Sequence, residues 1–129
     1  MKDCVFCQII AGKIPAHKIY EDEQTLAFLD LAPVNPGHAL VVPKTHADHL
    51  WELDDDQYSS LMFSAKKVAN RIREILSPPR VGEAVEGFAV PHAHVHLMPI
   101  YKHLREEFNK PKPDLSADDL AAMAAKLKF

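Results

Sequence analysis

Apolar side chains recur along the chain in short runs whose spacing separates helices from strands. Residues 4–11 have apolar positions at one-sided helical spacing that stops at Gly12, which predicts a short N-terminal helix. Two β-prone runs follow at residues 18–20 and 25–29, and the charged segment between them predicts a hairpin. Residues 39–42 are entirely apolar and predict a central strand.

The middle of the chain contains the longest helical pattern. Asp54 and Gln57 have the spacing of a capping box, and apolar residues at helical spacing then continue to Leu76, just before two prolines. Two more strands are predicted beyond this helix, at residues 80–85 and 88–100.

The C-terminal part has a different character. Residues 102–113 are charged and interrupted by proline, which predicts a surface arm, and Ser116 with Asp119 predicts the cap of a short helix. The order of helix, hairpin, strand, long helix, hairpin and tail predicts an α+β fold with an antiparallel sheet. We expect all 129 residues to form one domain, with a core at about residues 4–100 and an arm and short helix at residues 101–129.

Charge and composition exclude several classes of partner. The formal net charge is -3, and Lys and Arg are scattered, so no basic stripe is present for binding DNA or RNA. No apolar stretch reaches membrane-spanning length and no secretory signal is recognisable, so we expect a cytoplasmic protein without a membrane partner. The only cysteines, Cys4 and Cys7, are spaced as C-x-x-C, which indicates metal binding or redox chemistry.

Three of the eight histidines, His92, His94 and His96, lie in one short run. In an extended strand their rings project to one face, while the apolar residues that alternate with them form a row on the other face. Three charged rings side by side would repel one another, so the row of histidines indicates a functional role. An anion, a metal ion or a chain of proton transfers would each suit it.

The pattern H-x-H-x-H followed by two apolar residues resembles the signature of the histidine triad (HIT) family of nucleotide hydrolases and transferases. Residues 6–16, 20–30 and 36–46 are also similar, in order and spacing, to stretches of the HINT-like branch. The resemblance covers roughly residues 4–100. It implies a HIT-like fold, in which a five-stranded antiparallel sheet is combined with one long helix and short terminal helices, and which usually pairs as a homodimer.

The resemblance also implies an enzyme that acts at the α-phosphate of a purine nucleotide, of the nucleoside phosphoramidate or dinucleoside polyphosphate type. His94 matches the family's nucleophile, which forms a nucleotidyl-histidine intermediate that water hydrolyses. A nucleophilic imidazole must be neutral, and a hydrogen bond at its other nitrogen must orient the ring. We expect the carbonyl of His92 to accept that hydrogen bond. We expect His96 to donate to a phosphate oxygen or to the leaving group, and His38 to belong to the proton-relay network.

Eight further positions match residues that bind the nucleoside in the family. Asp30 matches the acid that holds the ribose, and a carboxylate can accept from both ribose hydroxyls. The others match apolar positions that line the base pocket, namely Val5, Phe6, Ile9, Phe28, Leu29, Leu31 and Leu40. Ordinary core packing is at least as good an explanation for these apolar residues.

The segments before the histidines depart from the HINT pattern. Val81, Phe88 and Ala89 stand where the family has an Asn, a Gln and a Ser that help to hold the phosphate. Phe and Ala side chains offer no donors, so phosphate contacts there come from backbone N–H groups or are missing. These departures motivate an alternative function, a nucleotide-binding or protein-interaction module with vestigial catalysis. A third hypothesis places a catalytic metal ion on the three histidines of the run.

A structural zinc site is predicted from the two cysteines and two histidines. The C-x-x-C spacing presents two thiolates to a tetrahedral ion, and His46 and His92 can complete the set. Several bacterial HIT proteins and the related galactose-phosphate uridylyltransferases look similar here and bind zinc through residues in this arrangement. His49 is a weaker alternative to His46, and the alternative for Cys4 and Cys7 is a reduced pair without metal.

Overall fold

The computed structural model describes residues 3–129. Its elements are α1 (Val5–Ile10), β1 (Lys18–Glu21), β2 (Thr25–Leu29), β3 (Ala39–Pro43), α2 (Asp55–Leu76), β4 (Arg80–Ala84), β5 (Val95–Ile100), α3 (Leu104–Asn109) and α4 (Ala117–Leu127). A 3₁₀ turn at Leu50–Glu52 precedes α2. Each helix and strand predicted from the hydrophobic pattern has a counterpart here, with differences at residues 88–113.

The five strands form one antiparallel sheet in the order β1-β2-β3-β5-β4. β2 pairs with β3 along its whole length. β5 lies between β3 and β4, and His96 of β5 is opposite Leu40 of β3 on one side and Ala84 of β4 on the other. The predicted α+β fold with a five-stranded antiparallel sheet is therefore confirmed, and an inner strand of the sheet holds His96.

Different helices cover the two faces of the sheet. α2 and α4 pack on the face that contains the largest cluster of buried side chains. That cluster includes Ala93, Val95 and Leu97, so the residues that alternate with the histidines form part of the core, as predicted. On the other face, Phe6 and Ile9 of α1 pack against side chains of β2 and β3. Full burial of one such side chain stabilises the fold by roughly 1.5–3 kcal/mol.

The two longest helices begin where their sequences predict. The Asp54 carboxylate accepts from the backbone N–H of Gln57 at 2.8 Å, and the Gln57 side chain accepts from the N–H of Asp54 at 3.4 Å. Ser116 and Asp119 form the same reciprocal pair before α4. α2 ends at Leu76, and its C-cap residue Ser77 has a left-handed φ of 49°. These caps bond backbone groups that a helix cannot satisfy internally.

α2 is the longest helix, at 22 residues, and it is amphipathic. Its buried side chains recur at three- and four-residue spacing and comprise Leu61, Ser64, Ala65, Val68 and Ile72. Across residues 3–129, no helix combines the length and the apolar character needed to cross a lipid bilayer.

The strand that contains the histidines is shorter than predicted. β5 starts at Val95, and the residues before it form turns and irregular backbone. The N–H of His92 donates to the carbonyl of Val90 at 2.9 Å, and the N–H of Ala93 donates to the carbonyl of Ala47 at 2.7 Å. The prediction of one continuous strand through all three histidines is therefore wrong, because these backbone groups are bonded in a turn and to a loop.

The predicted surface arm at residues 102–113 is bound to the sheet through a buried carboxylate. It contains α3, in which Glu107 is only 2% exposed. One oxygen of Glu107 accepts from the Asn35 amide at 2.9 Å and from the N–H of Tyr101 at 2.8 Å. The other oxygen lies 3.0 Å from the ammonium of Lys110. The arm is therefore anchored to the turn before β3 through Glu107, while most of its other residues are exposed, as predicted for a surface arm.

Candidate active site and metal-binding cluster

The backbone carbonyl of His92 orients the ring of His94 through a hydrogen bond to one ring nitrogen. Nδ1 of His94 lies 2.6 Å from the carbonyl oxygen of His92, and a carbonyl only accepts, so Nδ1 is the protonated nitrogen. The lone pair of the neutral ring is then on Nε2. His94 is 6% exposed, and its ring packs edge-on against Phe6 with the centroids 5.1 Å apart. His94 is therefore oriented as a nucleophilic imidazole must be.

His38 and His96 form a second pair of rings beside Asp30. The N–H of Val34 donates to Nδ1 of His38 at 3.0 Å, so the proton of this ring is on Nε2. That Nε2 lies 2.9 Å from Nδ1 of His96 and 3.5 Å from a carboxylate oxygen of Asp30. Because His96 accepts at Nδ1, its own proton is on Nε2. The His96 ring is therefore a donor beside His94, with the ring centroids 5.0 Å apart.

Burial favours the neutral forms of His38 and His96. It lowers the pKa of His38 to about 4, with the Asp30 carboxylate opposing this shift and the neighbouring His96 adding to it. The pKa of His96 is also lowered, first by burial and then by the proximity of His94. These two rings can therefore lie side by side without mutual repulsion, because burial disfavours their charged forms.

An apolar cleft of about 760 Å³ has His94 and His96 in its wall. Its lining includes every residue that the sequence assigned to nucleoside binding, namely Asp30, Val5, Phe6, Ile9, Phe28, Leu29, Leu31 and Leu40. The volume and the apolar lining with a few polar groups are typical of small-molecule sites. The structure thus brings the predicted nucleoside-binding residues together around one cleft, next to the predicted catalytic histidines.

Four side chains of types that can bind a metal ion lie together at the ring of His92. The ligand atoms of Cys4, Cys7, His46 and His92 all lie within 4.8 Å of one another. Nδ1 of His92 is 3.2 Å from Sγ of Cys4 and 3.5 Å from Sγ of Cys7. Nδ1 of His46 is 3.3 Å from Sγ of Cys7 and 3.1 Å from Nδ1 of His92. Around a zinc ion with ordinary bond lengths such atoms are about 3.3–3.6 Å apart, so the group fits a tetrahedral ion.

The ring of His92 has the orientation that a metal ligand requires. It is fully buried, and Nε2 donates to the carbonyl of Pro43 at 2.8 Å, which leaves Nδ1 as the unprotonated nitrogen. Burial lowers the pKa of His92, which favours the neutral ring that binds a metal. Burial and the neighbouring Cys4 thiol raise the pKa of the Cys7 thiol. A raised pKa makes the thiolate less favourable, and a divalent cation that binds the thiolate offsets this cost.

The three histidines of the run therefore do not share one environment. Nδ1 of His92 faces the cysteines, Nδ1 of His94 bonds to backbone, and Nδ1 of His96 bonds to His38. In the described part of the chain, these three rings do not gather their nitrogens into one metal-binding group. The hypothesis of a catalytic metal on all three is therefore not supported. His49, the alternative to His46, lies outside the cysteine group.

Comparison with known proteins identifies the family. Residues 11–103 match the HIT domain. The chain belongs to the HIT family. It is 42% identical over 106 residues to "Protein hit" of Bacillus subtilis, and the alignment covers 78% of this chain and 72% of that protein. It is 39% identical over 97 residues to the adenosine 5'-monophosphoramidase of Schizosaccharomyces pombe, with 74% of this chain and 73% of that protein covered.

A solved HIT structure shares the whole fold. The crystal structure of a Zn-bound histidine triad family protein from Mycobacterium smegmatis has a TM-score of 0.81 and 29% sequence identity. The match covers 98% of this chain and 91% of that chain. The family predicted from the histidine run and its flanking motifs is therefore confirmed.

Two of the three departures from the HINT pattern line the cleft, and the third lies on β4. Phe88 is 91% exposed and lines the cleft together with Ala89. Val81 lies on β4, opposite Pro99 of β5. The side chains of Phe88 and Ala89 therefore bring no hydrogen-bond donor to the cleft, as their residue types imply.

Several groups of the site were not predicted from the sequence. The N–H of Val34 and the carbonyl of Pro43 determine which nitrogens of His38 and His92 carry the protons. Backbone groups of this kind leave no signal in a sequence, because every residue type except proline has both. Lys112 lines the cleft as well, although the sequence placed it in the surface arm.

We predict that burial of His38 makes the folded protein less stable in mild acid. The pKa of His38 is about 4 in the folded protein, against an ordinary value of 6.5. As pH falls between these two values, the unfolded chain gains a proton that the folded protein excludes. The free energy of unfolding should therefore fall by about 2–3 kcal/mol from this group alone.

Urea denaturation of the wild type and His38→Gln over this pH range measures the effect. His38→Gln should lose less stability on acidification, because Asp30 and His96 are present in both proteins and only His38 differs. The same pH dependence in the two proteins would contradict the assignment of a strongly lowered pKa to His38.

Proposed function

We propose that this HIT protein hydrolyses a purine nucleotide at the α-phosphate, with a nucleoside phosphoramidate or a dinucleoside polyphosphate as the substrate type. The observation that carries the proposal is the hydrogen bond that leaves the lone pair of His94 on Nε2, in the wall of an apolar cleft. The similarity to an adenosine 5'-monophosphoramidase supports the reaction type.

The nucleoside is proposed to lie in the cleft, with its base against the apolar lining and its ribose at Asp30. One oxygen of Asp30 accepts from the N–H of Ala32 at 2.8 Å, which fixes the carboxylate at the cleft wall. The other oxygen lies 3.5 Å from Nε2 of His38 and 3.8 Å from Nδ1 of His96. Asp30 therefore connects the proposed ribose site to His38 and His96.

The proposed reaction has two displacement steps at phosphorus. Nε2 of His94 attacks the α-phosphorus and forms a P–N bond while the bond to the leaving group breaks. The leaving group keeps the electron pair and takes a proton from solvent. Water then attacks the same phosphorus, the P–N bond breaks back to His94, and the water loses its proton to solvent. The products are a nucleoside monophosphate and the protonated leaving group.

The other two rings are proposed to assist His94 without changing their own bonds. His96 donates from Nε2 to a phosphate oxygen or to the leaving group, where negative charge develops. His38 keeps His96 in the required tautomer, because its Nε2–H points to Nδ1 of His96 at 2.9 Å. His92 contributes its carbonyl, which stabilises the positive charge on His94 as the P–N bond forms.

We predict that His94→Ala abolishes turnover of adenosine phosphoramidate. The expected loss is at least about 1000-fold in kcat, because removal of a catalytic nucleophile leaves only binding and electrostatic contributions. AMP binding should persist, since Asp30 and the apolar part of the cleft lining are unchanged. A steady-state assay and calorimetric titration with AMP measure the two effects. His103→Ala is the control, because His103 precedes α3 outside the cleft.

Turnover by His94→Ala at the wild-type rate would contradict the nucleophile assignment. Wild-type protein that binds AMP but turns over neither phosphoramidates nor dinucleoside polyphosphates would favour the alternative of a binding module with vestigial catalysis. Phe88 and Ala89, which bring no side-chain donors to the cleft, are the observation behind that alternative.

We further propose that Cys4, Cys7, His46 and His92 bind one structural zinc ion. The supporting observations are the donor set of two thiols and two imidazoles, the spacing of their ligand atoms and the Zn-bound relative of the same fold. Zinc would stabilise the thiolate forms of the cysteines and crosslink α1 to the residues around β3 and β5.

We predict about one zinc ion per chain in protein purified without chelator. His46→Gln should lose most of this zinc, because it removes one of four ligands, whereas His49→Gln should retain it. Elemental analysis of the purified proteins measures the ratio. Zinc-free wild type, or equal zinc in the two variants, would rule out this ligand set.

The homodimer, the cytoplasmic location and the assignment of all residues to one domain stay predictions. β4 is an outer strand of the sheet, and Leu104 lies beside it with about half of its surface exposed. An outer strand has unpaired backbone groups that can pair with a second copy of the chain. This arrangement is compatible with the homodimer that the family resemblance implies.

A further inference from the structure

The proposed nucleotide carries negative charge into a cleft that contains two acidic side chains. Asp30 and Glu86 both line this cleft. Phe88 and Ala89 also line it, and their side chains offer no donors. His96 is the proposed donor to a phosphate oxygen, and a cation from another part of the chain would offset the negative charge of the two carboxylates.

Lys112 is the only lysine or arginine among the described residues that line the cleft. Its ammonium lies 3.5 Å from the carbonyl oxygen of Ala32, two residues beyond Asp30. The pKa values of His38 and His96 are lowered mainly by burial. The positive charge of Lys112 lowers both pKa values further. The ammonium is therefore close enough to His38 and His96 to act on charge at the same site.

The buried contacts of α3 determine where Lys112 lies. Glu107 accepts from the side-chain NH2 of Asn35 and from the N–H of Tyr101, and Lys110 donates to both Glu107 and the side-chain amide oxygen of Asn35. Asn35 belongs to the turn between Asp30 and His38. The arm is therefore attached to the same turn that positions the site, and Lys112 follows this attachment by only two residues.

We propose that Lys112 binds a phosphate group of the nucleotide and replaces the side-chain donors missing at Phe88 and Ala89. The inference rests on the proposed function, because it requires a nucleotide in the cleft. An ammonium is a compact charge on a flexible stem, so it can leave the Ala32 carbonyl and follow a phosphate oxygen. The C-terminal arm then forms part of the binding site and contributes to substrate choice.

Calorimetric titration with AMP and with adenosine separates a phosphate contact from a nucleoside contact. Lys112→Met should weaken AMP binding by about 3- to 10-fold, because one charge-assisted contact is lost, and it should leave adenosine binding unchanged. Lys112→Arg should retain most of the AMP affinity. Lys102→Met is the matched control, since it removes the same charge from an exposed position of the arm outside the cleft lining.

The outcomes distinguish failure of this inference from failure of the proposed function. If wild type prefers AMP to adenosine and Lys112→Met keeps the same preference, the role of Lys112 is wrong. If Lys112→Met weakens both ligands equally, Lys112 contacts the nucleoside or supports the cleft, and the phosphate contact is wrong. If wild type binds neither ligand, the proposed function fails and this inference fails with it.

Discussion

His92 is fully buried, with its ring bonded to the carbonyl of Pro43 and its own carbonyl 2.6 Å from Nδ1 of His94. This residue therefore faces the cysteine group with its ring and orients His94 with its backbone. If His92 moved, His94 would lose the acceptor that keeps its lone pair on Nε2. The ring of Phe6 packs against both histidines, so α1 also holds this part of the site in place.

Local sequence signals predicted much of the fold. The pairs Asp54 with Gln57 and Ser116 with Asp119 cap their helices as predicted, because a capping box depends only on residues three apart. Val95 and Leu97 of β5 are in the core for a similar reason, since an extended backbone fixes the period of two. The family resemblance predicted the nucleoside-binding residues, which line the cleft together with His94 and His96.

Contacts between distant parts of the chain could not be predicted from the residues alone. Glu107 and Asn35 are 72 positions apart, and neither has a pattern that indicates burial or pairing. The start of β5 at Val95 was missed because the turn before it depends on a bond from Ala93 to Ala47. Tertiary hydrogen bonds override local β propensity in that segment. Lys112 reaches the cleft for the same reason, through an arm whose anchor is not visible in the sequence.

Formation of a bond between Nε2 of His94 and phosphorus can be observed directly. Wild-type protein is mixed with a slowly hydrolysed nucleotide substrate, quenched under denaturing alkaline conditions that preserve P–N bonds, and digested for mass spectrometry. The expected result is one nucleoside monophosphate unit attached to the peptide at His94. An unmodified peptide during active turnover, or an adduct on His96 with none on His94, would contradict the proposed mechanism.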